Sequence, residues 1–276
     1  MRIFIVGLGL IGASYAEGLH LKGHQIYAYN RSQDKVQKAI NEGIVEKDND
    51  LDKLSICDLV ILSLYPKNNI EFIEKNRYLF KHGQMVTDVS GTKEWMMQEI
   101  IKCLPEGITY TSHHPMAGKE ISGYDAKDYR IFKGANFVIV PSEKSGVNDE
   151  NILNQIATEL NFGKILKVDS ATHDQLIAFT SQLTHVLAIA LVNTDHFEET
   201  KNATGDSYRD LTRIAKINET MWTELFLENK SALLGVIRDF QNELQYMKTL
   251  IMGDEKNALK AYMKKAKEKR VSFDKD

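Results

Sequence analysis

Arg2-Ile3-Phe4-Ile5-Val6-Gly7-Leu8-Gly9-Leu10-Ile11-Gly12 decides the fold. Its first five residues are mostly β-branched or aromatic and read as a buried strand. The next six form G-x-G-x-x-G, and Ala13 to Lys22 then reads as a helix ended by Gly23. That placement makes the glycine pattern far more specific than it is alone. Gly7 makes the tight turn, Gly9 lets the backbone approach a pyrophosphate, and Gly12 allows close helix–strand packing. The helix N-terminus offers unpaired N–H donors and the positive dipole end to phosphates. Gly7, Leu8, Gly9, Leu10, Ile11 and Gly12 are therefore the expected dinucleotide loop.

The second strand, Gln25 to Tyr29, ends in Asn30-Arg31-Ser32. A unit built for NAD usually carries an acid there for the ribose 2′-hydroxyl. An arginine with two hydrogen-bonding neighbours suits a 2′-phosphate, so Asn30, Arg31 and Ser32 point to NADP, with NAD still possible. Asp58 to Pro66 reads as a buried strand stopped by its proline, with Ser63 near its carboxyl end as a further cofactor contact. Gln84 to Val89, Ile108 to Thr111, Asn136 to Val140 and Lys164 to Val168 are later strands, and Asn151 to Leu160 is a helix. The alternation predicts an α/β fold, a Rossmann-type doubly wound parallel sheet. After Asp169 neither strand-like alternation nor proline occurs, so an all-α C-terminal domain follows. The expected division is a NAD(P)-binding domain over 1–168 and a helical substrate-binding and dimerisation domain over 169–276. A helix opens at Ser170 and is expected to run to about Glu199. His185 to Val192 is apolar nearly all round, which predicts a buried helix. A small all-α domain needs outside cover for it, hence a homodimer.

Composition narrows the function. The 276 residues are 43% hydrophobic and 26% charged, with a net charge of -3. That gives no electrostatic case for nucleic acid or an anionic membrane. Cys57 and Cys103 form neither a disulfide framework nor a metal-binding spacing. Met1 leads straight into a strand, and the apolar run Val186 to Val192 is far short of a span. A cytoplasmic enzyme without a metal site is expected.

Three stretches carry chemistry. Ser112-His113-His114-Pro115-Met116-Ala117-Gly118-Lys119-Glu120-Ile121-Ser122-Gly123 follows a short β-type run. Pro115 biases His114 towards extended geometry, so a loop is expected there, with a ring able to exchange protons near neutral pH. Thr87-Asp88-Val89-Ser90-Gly91-Thr92-Lys93 ends another strand; Ser90 and Thr92 either reach a ligand or cap the next helix. In the helical half, His173-Asp174 and His185 are spaced by roughly three turns on one face. In Tyr208-Arg209-Asp210-Leu211-Thr212-Arg213-Ile214-Ala215, Arg213 shares a face with Asp210 or Arg209. Arginine is the usual residue for gripping a carboxylate.

Together these motifs, with Met221-Trp222, resemble the prephenate dehydrogenase family, which includes arogenate dehydrogenases, over nearly the whole chain. The His-Pro-Met-Ala-Gly loop joined to the later Arg-Asp-x-Thr-Arg-Ile-Ala run is the specific part. The resemblance implies oxidative decarboxylation of prephenate in tyrosine biosynthesis, with hydride passing to a nicotinamide. It implies that His114 accepts the hydroxyl proton and Arg213 holds a substrate carboxylate. Glu120 and Asp210 would orient that arginine, and His185 would line the substrate pocket. It also implies dimerisation through the C-terminal helices. Two departures stand out. Ser90-Gly91 replaces the family's usual Gly-Ser, leaving Ser90 or Thr92 for the serine's role. Ser181-Gln182-Leu183-Thr184-His185 replaces Ser-His-Leu-Pro-His, which bears on prephenate against arogenate. A β-hydroxyacid-type dehydrogenase would share the Rossmann half but rely on a lysine in the first helix of the second domain. No lysine lies between Asp169 and Glu199. A non-catalytic NADP sensor would keep the glycines and need neither His114 nor Arg213.

Overall fold

The computed structural model describes residues 1–119 and 121–274. It contains two compact units, Met1–Asn229 and Lys230 onward. The first unit is built on strands β1 (Arg2–Val6), β2 (Gln25–Tyr29), β3 (Leu59–Leu62), β4 (Met85–Asp88), β5 (Thr109–Pro115), β6 (Phe137–Pro141) and β7 (Ile165–Lys167). Their order is β2-β1-β3-β4-β5-β6-β7. Helices α1 (Leu10–Leu21), α2 (Gln33–Asn41), α3 (Pro66–Lys75), α4 (Glu94–Cys103) and α5 (Asp149–Glu159) connect them. Alternation along β1 puts Ile3 and Ile5 into one core with Tyr15, Leu19 and Phe137. Phe4 and Val6 enter a second core with Val60, Phe72, Met96 and Tyr110. The order reverses beside β1, which opens a ligand crevice at the carboxyl ends of the strands.

Several boundaries differ from the sequence expectation. Helix α1 begins at Leu10, immediately after Gly9, so Gly12 is helical. Strand β3 stops at Leu62, and Pro66 opens α3 instead, at a first-turn position that needs no N–H donor. Strand β5 continues to Pro115, so His113 and His114 lie in a strand, not a loop. The extended bias that Pro115 imposes on His114 suits a strand equally well. Among the described residues no crossover helix follows: 3₁₀ turns at Tyr124–Ala126 and Tyr129–Phe132 return the chain, and β6 pairs antiparallel with β5. The other strand pairs are parallel.

The helical part of this unit begins with α6 (Ser170–Ile177), a π turn (Ala178–Gln182) and α7 (Leu183–Asn193). Asp169 caps α6 by accepting the Thr172 N–H at 2.8 Å. Helix α7 ends at Asn193, short of Glu199, and is only half-buried: Leu183 and Ala188 are buried, and Val192 is 40% exposed. The single chain covers part of a helix that is apolar all round. Ser170–Asn193 is long and apolar enough to cross a membrane by length and composition. Its first turns, however, pack on α4 and β6 and carry the buried His173 and Asp174. After α8 (Thr200–Ala203) come α9 (Asp206–Thr212), a 3₁₀ turn (Arg213–Ala215) and α10 (Glu219–Glu228). Helix α7 packs on α9 and that turn. In the second unit α11 (Lys230–Met252) and α12 (Lys256–Ser272) pack together, with Tyr262 Oη donating to Glu243.

Candidate active site

The glycine loop is closed on one side and open on the other. Gly7 has φ +102°, and a Cβ there would lie 2.7 Å from the Ser63 carbonyl oxygen. A Cβ at Gly12 would lie 2.0 Å from the Gly7 carbonyl oxygen and 2.9 Å from Ser63 Oγ. Ser63 thus packs under the loop. Around Gly9 no atom lies within 4 Å of the Cβ position. The first turn of α1 has no acidic residue and no side-chain cap. An open cradle beside an uncapped helix N-terminus fits the pyrophosphate of a nicotinamide dinucleotide. Asn30 is committed to the loop: its Oδ1 accepts the Leu8 N–H at 3.0 Å, and its Nδ2 donates to the Ser32 carbonyl. It shapes the cradle, and the exposed Arg31 and half-buried Ser32 follow at the same end.

Below the carboxyl end of β4 lies a buried ion pair. Lys93 Nζ donates to Asp88 Oδ1 at 2.7 Å and to the His113 carbonyl at 2.8 Å. Tyr110 Oη donates to Asp88 Oδ2 at 2.7 Å, and both charged side chains are fully buried. Burial pushes the Asp88 carboxyl up, but the Lys93 ammonium and the donated hydrogen bonds bring it below its usual range. No sequence motif assigns Lys93 a role. The available signal was its position, since a cation at a helix N-terminus opposes the helix dipole.

Adjacent histidines on β5 face opposite sides of the sheet. His113 enters the core, hydrogen-bonded to Tyr15 Oη (2.9 Å) and Thr87 Oγ1 (2.7 Å) and stacked on Phe137. Burial, then Lys93, pushes its pKa down to about 3. His114 is half-buried and lies past the carboxyl end of β4. Its Nδ1 is 2.9 Å from His173 Nε2, and His173 Nδ1 is 2.7 Å from Asp174 Oδ1. Asp174 also caps α4 from across the unit, its two oxygens accepting the Lys93 and Glu94 N–H groups at 2.9 Å each. Asn229 Nδ2 donates to the Asp174 carbonyl at 2.8 Å. Burial, with His173 and Lys93 nearby, holds His114 well below the ordinary histidine pKa. Burial lowers His173 as well, against the raising effect of Asp174. Both rings are therefore neutral at pH 7.

The cradle and the His–His–Asp chain lie in a sequence whose two parts match known family models. Residues 15–165 match the family model "prephenate dehydrogenase, nucleotide-binding domain", and residues 169–265 match "prephenate dehydrogenase, dimerization domain". The chain belongs to the prephenate dehydrogenase family. It is 25% identical to prephenate dehydrogenase of Bacillus subtilis, over 97% of this chain and 75% of that one. It is 27% identical to cyclohexadienyl dehydrogenase of Zymomonas mobilis, over 100% and 97%. Prephenate dehydrogenase from A. aeolicus, solved with hydroxyphenyl propionate and NAD+, superposes with a TM-score of 0.89 at 27% identity, covering 99% of this chain and 98% of that one. The protein is accordingly a nicotinamide-dependent oxidoreductase of the prephenate, arogenate and cyclohexadienyl dehydrogenase group.

Ser90 is buried, and its Oγ accepts from Asn69 Nδ2 at 3.3 Å. Thr92 Oγ1 donates to Glu228 Oε2 at 2.7 Å, so its hydroxyl is committed to that carboxylate. Neither residue caps α4, because Asp174 does. Burial raises the Glu228 pKa, against the lowering effect of the Thr92 hydrogen bond. His185 is half-buried, with Nδ1 2.9 Å from the Ser181 carbonyl oxygen and its ring 3.8 Å from that of Trp222. The π turn separates it from His173, and the two rings serve different neighbours. Arg213 opens the 3₁₀ turn and is exposed in the single chain, as is Asp210. Its neighbour Leu211 is 53% exposed, while Ile214 and Ala215 are half-buried. Arg209 pairs with Asp206 rather than Asp210. Glu120 lies outside the described residues.

Proposed function

We propose that this family member is a prephenate dehydrogenase that uses NADP in tyrosine biosynthesis, converting prephenate to 4-hydroxyphenylpyruvate with loss of CO2. The observation that carries the reading is His114, a neutral, half-buried imidazole on the strand beside β4 whose Nε2 meets no hydrogen-bond partner among the described residues. Backbone N–H groups around Gly7, Leu8, Gly9, Leu10, Ile11 and Gly12 hold the pyrophosphate, with Ser63 beneath them. Arg31 and Ser32 take the 2′-phosphate. When bound, the nicotinamide supplies the acceptor for the hydride from the hydroxyl-bearing ring carbon. His114 takes the hydroxyl proton at Nε2, as a base that is already neutral at working pH. Arg213 binds a substrate carboxylate, with Glu120 and Asp210 orienting it, while His185 and Ser90 complete the pocket. The functional boundary lies between residues 168 and 169. The enzyme acts as a homodimer in the cytoplasm. The half-covered α7 and the matched dimerization-domain model support the dimer, and the buried free cysteines are in keeping with a reducing compartment. The test is cofactor reduction with prephenate or arogenate, each with NADP or NAD. Prephenate with NADP should give the highest kcat/KM. A higher value with arogenate makes the protein an arogenate dehydrogenase, and no reduction by either substrate overturns the assignment.

A further inference from the structure

The hydrogen bonds around His114 determine which of its nitrogens carries the proton. Both Asp174 oxygens accept backbone N–H groups of α4, so the carboxylate is an acceptor at this site. His173 must therefore donate to it from Nδ1, across 2.7 Å. A neutral imidazole has one N–H, which leaves His173 Nε2 bare. The 2.9 Å contact between that atom and His114 Nδ1 then requires His114 to be the donor. His114 is thus an Nδ1–H tautomer with its lone pair on Nε2.

We propose that His173, held by Asp174, is a positioning residue that fixes His114 as the Nδ1–H tautomer and shares the proton that His114 takes from the substrate. The inference rests on the reading of His114 as the base. In the step, the substrate O–H bond breaks and an N–H bond forms at His114 Nε2. The His114 Nδ1 proton moves along its hydrogen bond to His173 Nε2. The positive charge then resides on a ring already bonded to the Asp174 carboxylate, while His114 is neutral again with its proton on Nε2. Nothing is oxidised or reduced in this transfer. The arrangement answers a difficulty created by burial. His114 alone holds a proton poorly, and an anion two bonds down the chain offsets that. His173 is 1% exposed and Asp174 4%, so the pair acts where charge is little screened.

The experiment combines histidine ¹⁵N NMR on the free enzyme with steady-state kinetics of His173→Ala and His173→Gln. In the parent, His114 should show a protonated Nδ1 and a bare Nε2. His173→Ala should lower kcat roughly 10–100-fold, the scale found for groups that orient metal-bound histidines, with KM for both substrates little changed. His173→Gln offers a carbonyl to the Nδ1–H and should keep the tautomer, with kcat between the other two. Full recovery in the glutamine variant would remove the shared proton and leave the tautomer role. A parent with its proton on Nε2, or His173→Ala with parental kcat, overturns the proposal. The NMR result does not depend on turnover, so a failed substrate assignment would show separately, as a parent enzyme that reduces no cofactor.

Discussion

The region around His114 and the region around Arg213 belong to the same compact unit and are built in opposite ways. His114 sits over a buried network in which Asp88, Lys93, His173 and Asp174 are at most 4% exposed. Arg213 stands on a short turn between helices and is exposed in the single chain. Buried partners fix tautomer and pKa, while solvent screens an exposed cation. The proton-handling half of the proposed site is therefore complete within one chain. The proposed anion-binding half stands on an exposed turn, and the proposed dimer would bring cover to the apolar face of α7.

The largest effect is expected at His114. His114→Asn should lower kcat by roughly 10²–10⁴ while cofactor binding, followed by fluorescence, stays parental. A near-normal kcat would move the base elsewhere. Next comes a contrast between two cations. Lys93→Met strands the buried Asp88 carboxylate and should cost about 3–5 kcal/mol, read as a fall in the denaturant midpoint. Arg213→Ala should leave that midpoint nearly unchanged and raise KM for the substrate, with Arg213→Lys between parent and alanine. A large melting loss with unchanged KM in the alanine variant would make Arg213 structural.

Acid titration sharpens the same contrast. His113 binds its proton with a pKa of about 3 when folded and near 6.5 when unfolded. Between those values the unfolded chain binds the extra proton, so stability is lost as pH falls from 6.5 towards 3, by up to about 4–5 kcal/mol. Unfolding curves at pH 7 and pH 4 measure this, and His113→Gln should flatten the difference. Because burial lowers His114, kcat/KM should stay level as pH falls through 6.5 and decline only well below it. A decline centred at or above 6.5 would contradict the buried site. Light scattering at micromolar concentration should report two chains, since a monomer would leave α7 uncovered. The smallest effect is expected at Arg31, where Arg31→Ala should weaken NADP more than NAD. Equal kcat/KM with both cofactors in the parent would remove the 2′-phosphate reading.

Local pattern alone determined a good deal of this protein. The glycine loop, the strand–helix alternation and the change to all-helical sequence after Asp169 were legible because hydrophobic period and turn chemistry are properties of neighbouring residues. His114 was legible as a candidate, since its motif is contiguous. Its partner was not. Helical spacing groups His173 with His185, whereas the fold turns His173 towards His114 and seats His185 against Trp222. Alternation says that His113 and His114 face opposite ways, but only the antiparallel pairing with β6 and the packing of α6 on the sheet decide which face is core. The same holds for Thr92, bound to Glu228 from 136 residues away, and for Asp174, which caps a helix 80 and 81 residues back. Such contacts leave no period in the chain. They exist because a buried carboxylate must find donors, and the tertiary structure decides which donors are near.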